Sequence, residues 1–432
     1  MTVAQRTAKS IVCGLAVALV LIPACHSKPS APPRGGAEVV TAASSAIATV
    51  TGTVGEVRKI DVHGRSARLA IESVVAIAPE VHDPIRRTLR PGSSLTVAWE
   101  ELASTRASRL ESGARVLVVL ALLPPGSIWR ERFPDSEQRS GIAAIAANGA
   151  AVMHHPDASS SAALQAYLAI PAGERQTPLG IEALVDIARR AGGDLPQSAV
   201  ATLATIDGLD TQLSPQARER LVDLVADRRR DVSLRRAILA LCGERQLTVV
   251  APALRRLLAA GTDLEAESWD ALARIGGGLT ASEVGDLLSR PQPELRLVGA
   301  RWARHSDHRE RLLGLALSDP APPVRAAAVE SAIALAGPAI VDQVAPLLAD
   351  LDPQVRLAAA RALGKHRAAV VPQLRAIVAG EALELAKGAV LALDAAGPAG
   401  RAALAEIAER HHDESIRNLA ALALGKLEGH RH

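Results

Sequence analysis

The stretch DPQVRLAAARALG, residues 352–364, recurs along the second half of a chain of 432 residues. Its nearest copies are DVSLRRAILALCG from 231 and DESIRNLAALALG from 413, and weaker ones start at 292, 321 and 382. Each copy carries one apolar anchor: Leu234, Leu295, Val324, Val355, Leu385 and Ile416. From Leu295 onward the anchors stand 29, 31, 30 and 31 residues apart, and the first gap, 61, spans two periods. A degenerate copy, LEAESWDALARIGG from 264, falls in that gap. Between the copies lie further segments with apolar residues at i, i+3, i+4 and i+7, and Gly or Pro punctuates the junctions. A period near 30 with two helices per unit predicts stacked helical hairpins, because one hairpin cannot bury its apolar stripe alone.

The chemistry of a single copy agrees. Asp352 is placed to cap a helix, and Pro353 suits its first turn. Arg356 stands four residues after Asp352, the favourable orientation for an i,i+4 pair, and Asp231/Arg235 and Asp413/Arg417 repeat the spacing. An arginine that returns in register belongs to the stacking unit rather than to a single ligand site. Ala358, Ala359, Ala360 and Ala362 leave room for close helix packing. The acid, the arginine, the small residues and the closing Gly together resemble the HEAT-repeat family, in the short HEAT-like form also found in phycobilin lyases. The resemblance implies an α-solenoid over 215–432, clearest from 215 to 427, with 159–214 as a helical cap. It leaves the function open, since one fold hosts many roles.

Composition narrows the rest. Hydrophobic residues make up 48%, but there is one Phe, one Tyr and four Trp. The core is therefore aliphatic, and single-stranded nucleic acid, which is held by aromatic stacking, is a poor partner. Lys plus Arg number 49 against 46 Asp plus Glu. Removing Arg6 and Lys9 with the leader described next leaves 47 against 46, so no global field attracts polyanions.

MTVAQRTAKS carries two cations and no acid, IVCGLAVALVLI is a short apolar run, and PACHS follows. This order reads as a secretory signal over 1–24. The run is too short for a comfortable membrane span, so an uncleaved anchor is the lesser alternative. Ile22-Pro23-Ala24-Cys25 resembles the bacterial lipoprotein signal, with Pro23 departing from its usual pattern. The resemblance implies lipidation of Cys25, and acyl chains contribute about 0.8 kcal/mol per buried CH₂. His26, where an aspartate would retain such a protein in the inner membrane, points to the outer membrane facing the periplasm. Cleavage after Ala24 into a soluble form is the alternative. Residues 25–45, rich in Pro, Gly, Ser and Ala, read as a flexible tether. Of three cysteines only Cys242 remains in the body of the chain, in an apolar helix, where it reads as a buried hydrophobe.

Residues 46–158 change texture. ATVTGTVGEVRKIDV, ARLAIESVVAI, SSLTVAWEEL, ARVLVVLALL and GIAAIAANGAAVM are short β-branched segments separated by turn signals. Five strands in this length predict a small all-β, OB-like barrel. The loop PPGSIWRERFPDSEQRS gathers Trp129, Arg130 and Phe133, either as a binding loop or as a plug for the barrel end.

Partner candidates are residues the repeat does not require. RLVGARWARHSDHRER adds Arg301, Trp302, Arg304, His305, His308 and Arg309, an aromatic among arginines that resembles an interface hot spot. Arg361 and Lys365, with His366 and Arg367, form a second basic cluster at a helix end, where they also complement the dipole. Histidine pairs at 154–155 and 411–412 lack ligand spacing, and no P-loop, GxSxG or metal motif appears. The His-Glu dipeptides of HEAT-repeat di-iron hydroxylases are absent too. The expectation is a lipid-anchored, protein-binding scaffold or assembly factor of the cell envelope, not an enzyme, without cofactor or metal. A bilin-lyase-like, chromophore-handling or enzyme-accessory protein is the alternative.

Overall fold

The structure, a computed structural model, describes residues 39–44, 46–78, 83–100, 110–122, 133, 142–146 and 151–429. Contacts divide the chain between Leu241 and Cys242 into two compact units. The expected boundaries near 158 and 214 are not the divisions by contact, since the helices up to 241 share a unit with the barrel.

In the first unit, β1 (Ala48–Lys59), β2 (Gly64–Ile77), β3 (Ser94–Glu100), β4 (Arg115–Leu122) and β5 (Ile142–Ile145) follow the order β1-β2-β3-β5-β4, and β1 returns to β4 to close a five-stranded barrel. All pairings are antiparallel except β3 with β5. This is the predicted small OB-like barrel. The fifth sequence segment divides, its tail forming β6 (Val152–His154), which pairs with Val116–Val118 of β4 while β5 pairs with Leu120–Leu122. Closure makes β1 serve two neighbours, so it must coil. Its register slips between Thr51 and Gly52, and a Cβ on Gly52 would lie 2.3 Å from the Ala70 carbonyl oxygen. Only glycine fits there.

Val50, Leu69, Leu95, Val97, Trp99, Val116, Val118 and Leu120 fill the barrel. Leu117 and Val119 alternate with these on β4 and are also fully buried. The reason is helix α1 (Val39–Ser44), which packs on β4 and on a helix at Leu195–Leu203. Val39 and Val40 are fully buried, and the Val40 N–H donates to Ser198 Oγ at 2.8 Å. The flexible-tether reading of 25–45 is therefore corrected for 39–44. Two adjacent valines in a polar, small-residue segment are enough to dock it. The signal segment, Cys25 and residues 26–38 lie outside the described residues.

The helices of the cap follow as α2 (Ala158–Leu168), α3 (Pro178–Arg190) and α4 (Leu195–Leu203), and the repeats begin with α5 (Pro215–Ala226) and α6 (Val232–Glu244). The second unit continues with α7 (Ala251–Ala260), α8 (Glu265–Arg274), α9 (Ala281–Leu288), α10 (Pro293–Trp302), α11 (Arg309–Ser318) and α12 (Pro322–Ala336). It ends with α13 (Pro353–Gly364), α14 (Val371–Val378), α15 (Leu383–Ala395), α16 (Arg401–Arg410) and α17 (Glu414–Gly429). These form the expected HEAT-like array of helical hairpins. The second helices α8, α10, α12, α13, α15 and α17 pack on one another in sequence. Small residues set the spacing: a Cβ on Gly388 of α15 would sit 2.2 Å from the Leu348 carbonyl oxygen.

The recurring arginines do more than the sequence spacing predicts. Arg356 donates to the carbonyls of Asp350 (2.7 Å) and Leu351 (3.1 Å), and Arg417 donates to those of His411 and His412. Each arginine thus satisfies the turn that precedes its own helix. The expected Asp352–Arg356 pair is corrected: Asp352 accepts from the N–H groups of Gln354 and Val355 and caps α13. Ion pairs form one repeat further on. Arg296 grips Asp319 at 2.6 and 3.0 Å, and Arg325 grips Asp350 at 2.8 and 2.9 Å. The Arg296 and Asp319 side chains are 12% and 1% exposed.

Burial pushes the carboxyls of Asp319 and Asp350 up, but the arginine hydrogen bonds and a backbone N–H outweigh it and hold both below the ordinary value. A carboxyl depressed in the folded state stabilises above its unfolded pKa, and that contribution is lost as pH falls through the folded value. Asp319→Ala should cost about 3–5 kcal/mol in urea unfolding, because it strands the half of a buried pair that remains. Asp319→Asn should also flatten the loss of stability below about pH 4, near the unfolded carboxyl pKa. An unchanged acid limb would show that the rung is not what acid breaks.

Candidate partner-binding face

Helix α10 begins at Pro293 and ends at Trp302, where Ala303 turns extended. That stop fixes the Trp302 ring. Its Nε1–H donates to Asp270 Oδ1 at 2.8 Å, across to α8. Asp270 also holds Arg274, at 2.8 Å, and Arg301, at 3.5 Å. The Arg304 guanidinium lies 5.5 Å from the Trp302 ring centroid, within cation–π range, and is fixed by the carbonyls of Arg301 and Ala303. Trp302 is half-buried and packs with Trp269 against Leu287, Leu295 and Val298. Asp270 therefore organises one aromatic and two arginines from neighbouring repeats, a residue the sequence reading missed.

The other candidates fall nearby or apart. Arg301, His305 and Arg309 are exposed. His305 meets His308 edge-on at 6.3 Å, and the buried His308 Nε2 has no hydrogen-bond partner. Arg361 and Lys365 are exposed on α13. Counted six residues from each anchor from Leu295 onward, one exposed row runs through Arg301, Glu330, Arg361, Leu391 and Leu422. Leu391 and Leu422 are 37% and 48% exposed. They were overlooked because, in an alanine- and leucine-rich helix, a surface leucine looks like a core one. Only the register distinguishes them.

Phe133 is buried beside Ala98, with Ile60 and Ala144 around it. Trp129 and Arg130 lie outside the described residues. Cys242 is buried and its thiol is pushed up to about 12 by burial, so it is no nucleophile. Among the described residues no group of three or more His, Cys, Asp or Glu is placed to hold a metal. His411 is spent on structure: Nδ1 accepts from the Asp413 N–H at 3.1 Å, which leaves Nε2–H to donate to the Val378 carbonyl at 3.0 Å. A cleft of about 190 Å³ beside Tyr167, Arg175 and Thr202 falls below the size of ordinary ligand pockets.

A family model for HEAT repeats matches residues 309–394, the span from α11 through most of α15. No curated protein matches the chain. Among solved structures, the complex of CpcE and CpcF of phycocyanin lyase from Nostoc sp. PCC7120 is similar, at 20% identity, over 48% of this chain and 86% of that one, with a TM-score of 0.29. That complex is a lyase. The expectation of a non-enzyme, drawn from missing motifs, is corrected on that finding. Missing motifs do not exclude catalysis in a repeat array.

Asp270→Ala should leave the Trp302 N–H and two guanidinium groups without their acceptor. It should cost about 1–3 kcal/mol and shift tryptophan emission to the red. An unshifted spectrum would mean that Asp270 does not position the ring.

Proposed function

We propose that this chain is a membrane-anchored, protein-binding scaffold or assembly factor of the bacterial cell envelope, and that it binds through its helical array. The observation that carries the reading is the exposed row Arg301, Glu330, Arg361, Leu391 and Leu422, one side chain per repeat, beside the pinned Trp302. Arginines and an aromatic held rigid before binding lose little entropy on docking, and leucines supply apolar area. HEAT repeats commonly mediate protein–protein contact, which supports the same reading. The anchoring half rests on the signal and on Ile22-Pro23-Ala24-Cys25. Partner identity would come from crosslinking in cells.

A second reading, a bilin-lyase-like or enzyme-accessory role, draws on the same short-repeat resemblance with comparable support. Incubation of the purified protein with a free bilin separates the two. A bound chromophore with altered absorbance favours the second, and an unchanged spectrum the first.

Two outcomes test the first reading. Arg361→Glu combined with Leu422→Asp should reduce crosslinked partner about tenfold, as loss of interface anchors does, with the melting temperature unchanged. Cys25→Ser should move the protein from a membrane fraction washed at high salt, which strips electrostatic contacts, to the soluble one. Retention in the salt-washed membrane would remove the lipid anchor from the proposal.

A further inference from the structure

The β1–β2 hairpin ends in a turn, Ile60–His63, in which Ile60 packs beside Phe133 while Val62 and His63 are exposed. From Glu56 to Arg68 four cations, Arg58, Lys59, Arg65 and Arg68, outnumber two acids, Asp61 and Glu56, the latter 3.6 Å from Arg58. The Asp61 carboxylate accepts the backbone N–H groups of His63 and Gly64 and is committed to the turn. Lys59 stands directly opposite Arg65 in the β-ladder. Like charges in that position repel, and an anion docked across them relieves the repulsion. Arg58, Lys59, His63 and Arg68 are exposed, and the Arg65 guanidinium is held by the carbonyls of Asp61 and Gly64. Pairing between β1 and β4 stops at Thr53, so beyond it β1 pairs with β2 alone, while β3 follows β2 as far as Gly64.

Val62 sits at the apex and is 73% exposed. One exposed valine carries nothing by itself. At the tip of a hairpin ringed by cations, it has the pattern of a segment that dips its apex among lipid headgroups while the cations meet phosphate. The described barrel aromatics, Trp99 and Phe133, are buried, so the described barrel surface offers no platform on which nucleic-acid bases stack.

We propose that the tip of the β1–β2 hairpin, with Val62 at its apex and Arg58, Lys59, Arg65 and Arg68 around it, docks the barrel on an anionic lipid surface. The contact stands on the barrel alone and does not depend on acylation of Cys25. The test therefore uses the full chain carrying Cys25→Ser, with vesicles of phosphatidylcholine alone and of phosphatidylcholine mixed with phosphatidylglycerol. The expected result is co-sedimentation with the mixed vesicles only, weakening as salt is raised. Each cation near an anionic membrane strengthens binding about fivefold, so Arg58→Ala with Lys59→Ala should weaken it about 25-fold. Both residues are exposed, and an unchanged melting temperature would confirm that the fold is intact. Val62→Trp should show emission shifted to the blue with mixed vesicles and unshifted with phosphatidylcholine. Equal binding to both vesicles, or an unaffected double variant, would overturn the proposal. So would binding of a single-stranded oligonucleotide at this tip with the vesicles ignored.

Discussion

The array is held by a guanidinium that does two jobs at once. One nitrogen of Arg325 satisfies the Asp319 carbonyl in the turn before its own helix, at 2.8 Å. Its other two grip the Asp350 carboxylate in the following repeat. Asp350 in turn accepts the Asp352 N–H at 2.8 Å, and Asp352 caps α13. Turn, rung and cap thus form one connected polar path inside an aliphatic stack. Lysine could not replace the arginine, since a single ammonium lacks the planar fork that reaches carbonyl and carboxylate together. The rung also explains how adjacent hairpins with interchangeable alanine faces keep one register: a slipped stack would strand a buried charge.

The rungs are not continuous. Five residues before their anchors stand Asp319 and Asp350, but Gly380 occupies that place before Leu385 and His411 before Ile416. Ala386 stands where arginine follows the other anchors. The last repeat accordingly changes its link. In place of the buried rung, His411 donates a hydrogen bond to the end of α14 and accepts the Asp413 N–H, the backbone task that Asp319 and Asp350 perform in their own turns, while an exposed pair, Arg375 with Glu406, also joins α14 to α16.

How much of this was legible follows from the range of each interaction. The repeat period decided which residues pack: the anchors Leu234, Leu295, Val324, Val355 and Ile416 are buried, and Leu385 is partly buried against the same core. The five β segments were legible from alternation and turns. The arginine pairing was misread because sequence spacing offers only the local partner, Asp352, whereas the stronger acceptors lie in the turn and in the next hairpin. The docking of α1 was illegible for the same reason: Val39 and Val40 are buried by β4 and α4, nearly 80 and 160 residues away.

The same reasoning decides what a motif search can find in such an array. A row such as Arg301, Glu330, Arg361, Leu391 and Leu422 takes one residue from each hairpin, about 30 apart, so no short pattern contains it. Asp270, Arg301 and Trp302 come together only because α8 stacks on α10. A catalytic or binding set assembled this way leaves no local signature in any single helix. The missing P-loop, nucleophile elbow and metal spacing therefore bear on folds that build their sites from one loop, and say little about a protein whose surface is written one side chain per repeat.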